Sequence, residues 1–153
     1  MSDIIIELDT RNKKDSYVTQ YFDSHGIKWI RNKLYAGDVK LLNSTRVIID
    51  LKANTEEIAH NICNSKEHIR LVKELAKAKE IQCEKFVFLI KDDKIKCVDD
   101  LINWASDKTK VKGATLYKSM ITMTKKYGCK FIFTMEENAP KKIMELLGDK
   151  NDK

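Results

Sequence analysis

Apolar residues along this chain fall into short β-rich runs and longer stretches with helical spacing. "DIIIELDT" alternates weakly and predicts a first strand over about Ile4 to Leu8. In "KKDSYVTQYFDSHG", Tyr17, Val18, Tyr21 and Phe22 recur at helical spacing, with Asp15 or Ser16 as N-cap and Gly26 just past the end. Three strand candidates follow in close order, "IKWIRNKL", "VKLL" and "RVIIDLK", the last after an Asn43-Ser44 turn. Their crowding predicts a meander. Asn54 opens a short helix with Glu57 at the capping-box position. A longer helix, about Glu67 to Glu80, offers Ile69, Val72, Leu75 and Ala76 as its apolar stripe.

"KFVFLI" reads as a fully buried strand, "VDDLINWASD" as a short helix, and "GATLYKSMITMTKKYG" as a longer one closed by Gly128. "KFIFTM" is the last strand, and Pro140 sits in the first turn of a final helix. "SDKTKVKG" is a polar, Lys-rich loop and a candidate mobile segment beside a ligand. No repeat or linker interrupts the order. It predicts one α/β domain over 1–148, a mixed sheet with helices on both sides, and a short polar tail over 149–153.

Composition narrows the class. A chain of 153 residues with 42% hydrophobic and 34% charged residues is expected to be soluble and globular, with one real core. No apolar run is long enough to span a bilayer, so no membrane partner is expected. The start lacks a secretory pattern, which predicts an intracellular place: cytoplasm or nucleoid, or the nucleus in a eukaryote. The net charge of +6 fits either a polyanionic partner or a Lys-rich solvated surface. The four cysteines show neither a C-x-x-C pair nor a His at zinc spacing. Cys97 and Cys129 adjoin apolar segments and are expected as small buried thiols. The three histidines are scattered, and none is given a catalytic role.

One stretch carries chemistry. "RVIIDLK" is the most convincing strand, yet it ends in Asp50-Leu51-Lys52, with another acid, Asp38, one segment upstream. Unpaired charge is costly to remove from water, so two charges at the end of a core strand call for a reason. Residues two apart share a strand face, so Asp50 and Lys52 project together while Leu51 points the other way. If "VKLL" and "RVIIDLK" form a hairpin, Asp38 lies close to Asp50. Two converging carboxylates suit a hard cation such as Mg²⁺ or Mn²⁺. A Lewis acid, a nucleophilic water and a neighbouring cation are what phosphodiester hydrolysis requires. An acid followed on the next strand by (D/E)-x-K is the PD-(D/E)xK nuclease pattern. The plain alternative is an ion pair at a strand end.

The whole layout resembles the nuclease domain of the XPF family of structure-specific DNA endonucleases, whose core motif is G-D-x(n)-E-R-K-x(3)-D. Gly37-Asp38 stands for the G-D, Asp50-Leu51-Lys52 for the E-R-K, and Glu56 for the last acid. Asp9-Thr10-Arg11 matches the family's opening D-x-R, and the later helices and strands match its order. Asp50 shortens the family carboxylate by one methylene, and Leu51 replaces a cation on the opposite strand face. The resemblance implies a restriction-endonuclease-like mixed central sheet flanked by helices. It also implies a Mg²⁺- or Mn²⁺-dependent endonuclease acting on branched, flap or fork DNA in recombination or repair. Asp38, Asp50, Lys52 and Asp9 would be catalytic, with Asp38, Asp50 and Glu56 at the metal. Arg11 would clamp a phosphate or else pair with Asp9, and Glu56 is equally readable as a helix-start carboxylate. Lys108, Lys110 and Lys112 would grip DNA, and pairing through the C-terminal helices would give a homodimer. The rival reading is a non-catalytic DNA-binding or scaffolding partner, which in that family lacks the acids and Lys kept here.

Overall fold

The computed structural model describes residues 4–148, so the polar tail expected over 149–153 lies outside the described residues. Strand β1 (Ile5–Asp9) turns into helix α1 (Ser16–Ser24), whose crossover lays β2 (Lys28–Asn32) parallel to β1. Gly26, in the left-handed region at φ 67°, turns the chain out of α1. Asp15 caps α1 through its backbone only, because its carboxylate is held by Arg31 at 2.7 and 2.8 Å. The chain then crosses to the other edge of β1 as β3 (Val39–Leu41), antiparallel to it, and turns into β4 (Val47–Lys52). The expected meander is therefore broken: β2 and β3 are separated by β1, because a helical crossover delivers a parallel neighbour and leaves the opposite edge free.

Helices α2 (Thr55–Cys63) and α3 (Ser65–Glu80) carry the chain to β5 (Lys85–Lys91), parallel to β4. Asn54 accepts the Glu57 N–H at 2.8 Å, and Asn64 caps α3 in the same way. The buried stripe of α3 is Leu71, Leu75 and Ala78, while Ile69 is 57% exposed. The helix sits with Leu71 and Leu75 against the sheet, which turns Ile69 toward solvent. The segment after β5 is a 3-10 turn, Val98–Asn103, rather than an α-helix. Helix α4 (Gly113–Tyr127), strand β6 (Lys130–Thr134) parallel to β5, and helix α5 (Ala139–Gly148) complete the chain.

The six-stranded sheet runs β2-β1-β3-β4-β5-β6. Alternate residues of its strands feed two cores. Ile6, Leu8, Val39, Val47, Ile49, Val87 and Leu89 pack with Val18 and Phe22 of α1 and Ile143, Leu146 and Leu147 of α5. On the other face Ile48, Phe86, Phe88, Ile90, Phe131 and Phe133 pack beneath α2, α3 and α4. That second core takes no residue from β1, β2 or β3, which present Glu7, Asp9, Asn32 and Lys40 on this side. Met120 and Met123 of α4 are core, as is Cys129, whereas Cys97 is exposed because it precedes the surface turn at Val98.

Candidate active site

The antiparallel register of β3 and β4 pairs Val39 with Ile49 and so sets Asp38 across from Asp50. Two hydrogen bonds fix it there: the Asp38 N–H donates to the Ile49 carbonyl at 2.8 Å, and the Asp38 carboxylate accepts the Leu51 N–H at 2.7 Å. Gly37 makes this approach possible. Its φ of +73° suits glycine, and a Cβ there would collide with the Ile48 side chain and crowd the Ile49 carbonyl oxygen at 3.1 Å. Two positions beyond Asp50, the Lys52 ammonium lies 3.2 Å from its carboxylate, on the same strand face.

Burial disfavours the ionised form of both acids, and the Asp50 charge adds to this at Asp38. Burial, and then the charge of Asp50, push the Asp38 carboxyl up to about 8, against the pull of the Leu51 N–H and Lys52. Asp50 is likewise raised by burial, with Lys52 opposing. Burial on its own would lower the Lys52 ammonium, but Asp50, Glu57 and Asp38 outweigh it and hold the group above its usual value. Lys52 is thus a fixed cation between acids that do not readily ionise together.

An open cleft of about 450 Å³ gives access to the trio, lined also by Asp9, Arg11, Lys13, Lys14 and Glu57. Asp9 is buried with both oxygens engaged: it accepts the Leu34 N–H at 2.9 Å and a two-point contact from Arg11 at 2.9 and 3.2 Å. Arg11 also donates to the Leu34 carbonyl at 2.8 Å, so the pair clamps the loop that leads to Gly37 and Asp38. Glu74 of α3 supports the same loop by accepting the Gly37 N–H at 2.8 Å.

Four of the expected site residues stand apart from the cleft. Glu56, one residue before Glu57, points about a quarter-turn away on α2. Its carboxylate accepts the Ser106 hydroxyl and the Asp107 N–H, each at 2.8 Å. Lys108, Lys110 and Lys112 belong to the loop that Glu56 ties down. A bridge between Ala105 and Lys112 closes that loop, and Ser106 accepts the N–H groups of Lys108 and Thr109, so it is anchored rather than free. Glu57 and Glu74 are the acids that sequence reasoning missed. Glu57 was masked by its capping role, and Glu74 becomes visible only once the buried phase of α3 is set by Leu71 and Leu75.

The donor set fits a divalent cation. Among the described residues no group of three or more His, Cys, Asp or Glu side chains forms a metal cage. Mg²⁺ does not need one, since one or two carboxylates plus waters and substrate phosphate suffice. Asp38 and Asp50 supply that pair, and a cation there would favour the ionised form of two carboxyls that burial raises.

The ERCC4 domain model matches residues 8–147. The chain belongs to the ERCC4 domain family. The family is of nuclease type, and the mixed sheet with its flanking helices is the restriction-endonuclease-like fold of the XPF nuclease domain. XPF from Aeropyrum pernix superposes with a TM-score of 0.70 at 19% identity, over 94% of this chain. A second structure, XPF from Aeropyrum pernix in complex with DNA, gives 0.69 at 19% identity over the same share. In both cases this chain spans 63% of the other's length. No curated protein matched the sequence. Among the described residues no helix is long and apolar enough to cross a membrane.

Proposed function

We propose that this chain is a Mg²⁺- or Mn²⁺-dependent DNA endonuclease that cuts branched, flap or fork DNA, as in recombination or repair. The observation that carries this reading is the convergence of Asp38, Asp50 and Lys52 from two adjacent strands at the floor of an open cleft. Asp38 and Asp50 would hold the cation, which would supply Lewis acidity for activating a water and polarising the scissile phosphate. Lys52, kept protonated by its acids, orients the attacking water and opposes charge developing on the phosphate. Asp9 and Arg11 act through the loop they clamp, keeping Asp38 in place. Glu57, which lines the cleft where Glu56 does not, would be the additional acid beside the pair.

DNA as the substrate is supported by family membership, by the net charge of +6, and by the DNA complex of the Aeropyrum pernix relative. Lys108, Lys110 and Lys112 would add grip beside α2, and a homodimer through the C-terminal helices would set two sites across a branch. The test is incubation of labelled duplex, flap, fork and four-way-junction DNAs with Mg²⁺, Mn²⁺ or chelator. Metal-dependent cutting that favours the branched forms is expected. Binding without cutting under every metal condition would replace this reading with the scaffolding one.

A further inference from the structure

Beside the main cleft, and sharing Lys14, Lys52 and Glu57 with it, lies a narrower pocket of about 160 Å³. At roughly 30 Å³ per water, it has room for a hydrated phosphate group and not for a base pair. Three lysines from three elements line it: Lys14 from the loop before α1, Lys52 from the end of β4 and Lys91 from the end of β5. Lys52 and Lys91 each have one acid partner, Asp50 at 3.2 Å and Glu136 at 2.9 Å, and an ammonium with three donors can also donate to an anion in the pocket. The pocket's one carboxylate, Glu57, already accepts the Ala53 N–H through one oxygen at 2.7 Å.

Two of the cations, Lys52 and Lys91, are also held in position by side-chain partners. The Lys91 ammonium lies 4.0 Å from the centroid of the Tyr17 ring and 2.9 Å from Glu136, which lines the neighbouring cavity beyond it. Asn12 accepts the Lys14 N–H at 3.0 Å and shapes the loop that presents Lys14. Lys52 lines both this pocket and the main cleft, and its ammonium pairs with Asp50 at 3.2 Å.

We propose that this pocket is a second phosphate subsite, which takes a phosphate of the bound nucleic acid next to the one at Asp38 and Asp50. Lys91 is its own ligand, and Lys14 and Lys52 are shared with the main cleft. The inference rests on the nucleic-acid reading above. Its ligand is either an internal phosphodiester of the cut strand or a terminal phosphate of a strand that ends there.

Binding is measured in the Asp38→Asn protein with chelator, so that no cutting intervenes. Lys14→Gln and Lys91→Gln should each raise Kd for a flap duplex on the order of tenfold, as for loss of a charge-assisted contact. A single neutral methylphosphonate is then walked along the cut strand. It should weaken binding to the Lys14 and Lys91 protein at one position, and that penalty should vanish in either Gln variant. If the ligand is terminal, removal of the end phosphate gives this pattern instead. Penalties that persist unchanged in both variants overturn the subsite. Lys14 is exposed, so Lys14→Gln remains informative even if Lys91→Gln disturbs Tyr17. An Asp38 protein that binds these DNAs and fails to cut them with Mg²⁺ or Mn²⁺ overturns the endonuclease reading and leaves the subsite standing.

Discussion

Over β4, β5 and β6 the sheet is buried on both faces, whereas over β2, β1 and β3 one face is left without helices. Where the covered half carries Phe86, Phe88 and Phe131, the open half carries Glu7, Asn32 and Lys40 on the same side. Asp38 enters β3 at the edge of the open half, and Asp50 and Lys52 close β4 at the edge of the covered one. The acids lie at this boundary for a physical reason. Rigid positioning needs packed strands, and access needs an uncovered flank. Deep in the covered half a carboxylate would be rigid but sealed; on β2 it would be accessible but loosely held.

The largest effects are expected at the boundary itself. Asp38→Asn or Asp50→Asn should reduce cleavage to background while DNA binding survives; full activity in either variant removes the metal assignment. Next, Lys52→Ala should slow single-turnover cleavage by roughly two orders of magnitude or more, the loss typical of one preorganised donor. Near-normal cleavage at saturating metal would make Lys52 only a counter-ion. Lys52→Arg separates two roles. Arg keeps the charge and does not give up its proton, so parental rates would leave electrostatics as the whole contribution.

The two halves should also differ in stability. Phe88 is fully buried, with its ring stacked on Phe131 at 5.1 Å, and Phe88→Ala should cost about 3–5 kcal/mol in denaturant unfolding. Ile30 on the open half is 39% exposed, and Ile30→Ala should cost less than about 1 kcal/mol. Comparable losses would mean that the open half is covered in solution.

A smaller effect follows from the proton on Asp38. Its folded pKa, about 8, lies above the unfolded value near 4, so its contribution to stability is fully present below about pH 4 and is lost as pH rises through about 8. Without metal, the melting temperature of the parent should therefore fall from pH 5 to 8 relative to Asp38→Asn, by about 2–4 °C per kcal/mol. Mg²⁺ should restore part of the difference. Parallel curves would show that burial does not hold that proton. The smallest change is expected far from the boundary. Neutralising Lys108, Lys110 and Lys112 together should weaken binding to all sequences alike and flatten the salt dependence. A variant that binds like the parent would make the anchored loop a mere connection.

Much of this was legible in the sequence, for identifiable reasons. Strands β4 and β5 were plain because burial on both faces makes them near-continuous apolar runs. The Asp38–Asp50 approach was legible because hairpin pairing and period-two alternation are local rules. The order of β2 and β3 was not, since neighbouring in a sheet depends on where a crossover helix packs. The phase of α3 was misread because Ile69 and Leu71 belong to competing apolar stripes, and only the sheet beneath chooses between them. Glu56 and Glu57 show the same limit. Adjacent helical positions point about 100° apart, and nothing in the sequence says which one faces the cleft.

The Asp38–Ile49 hydrogen bond ties the two acids by pairing rather than by chain length. Residues added at the Asn43-Ser44 turn would lengthen a surface excursion and leave both carboxylates facing each other, at a closure cost that grows only slowly with length. One residue added between Ile48 and Asp50 would instead turn Asp50 and Lys52 to the opposite face, among Val87, Leu89 and Ile143. The site is therefore tolerant of insertions at the loop and intolerant of a single one in the strand.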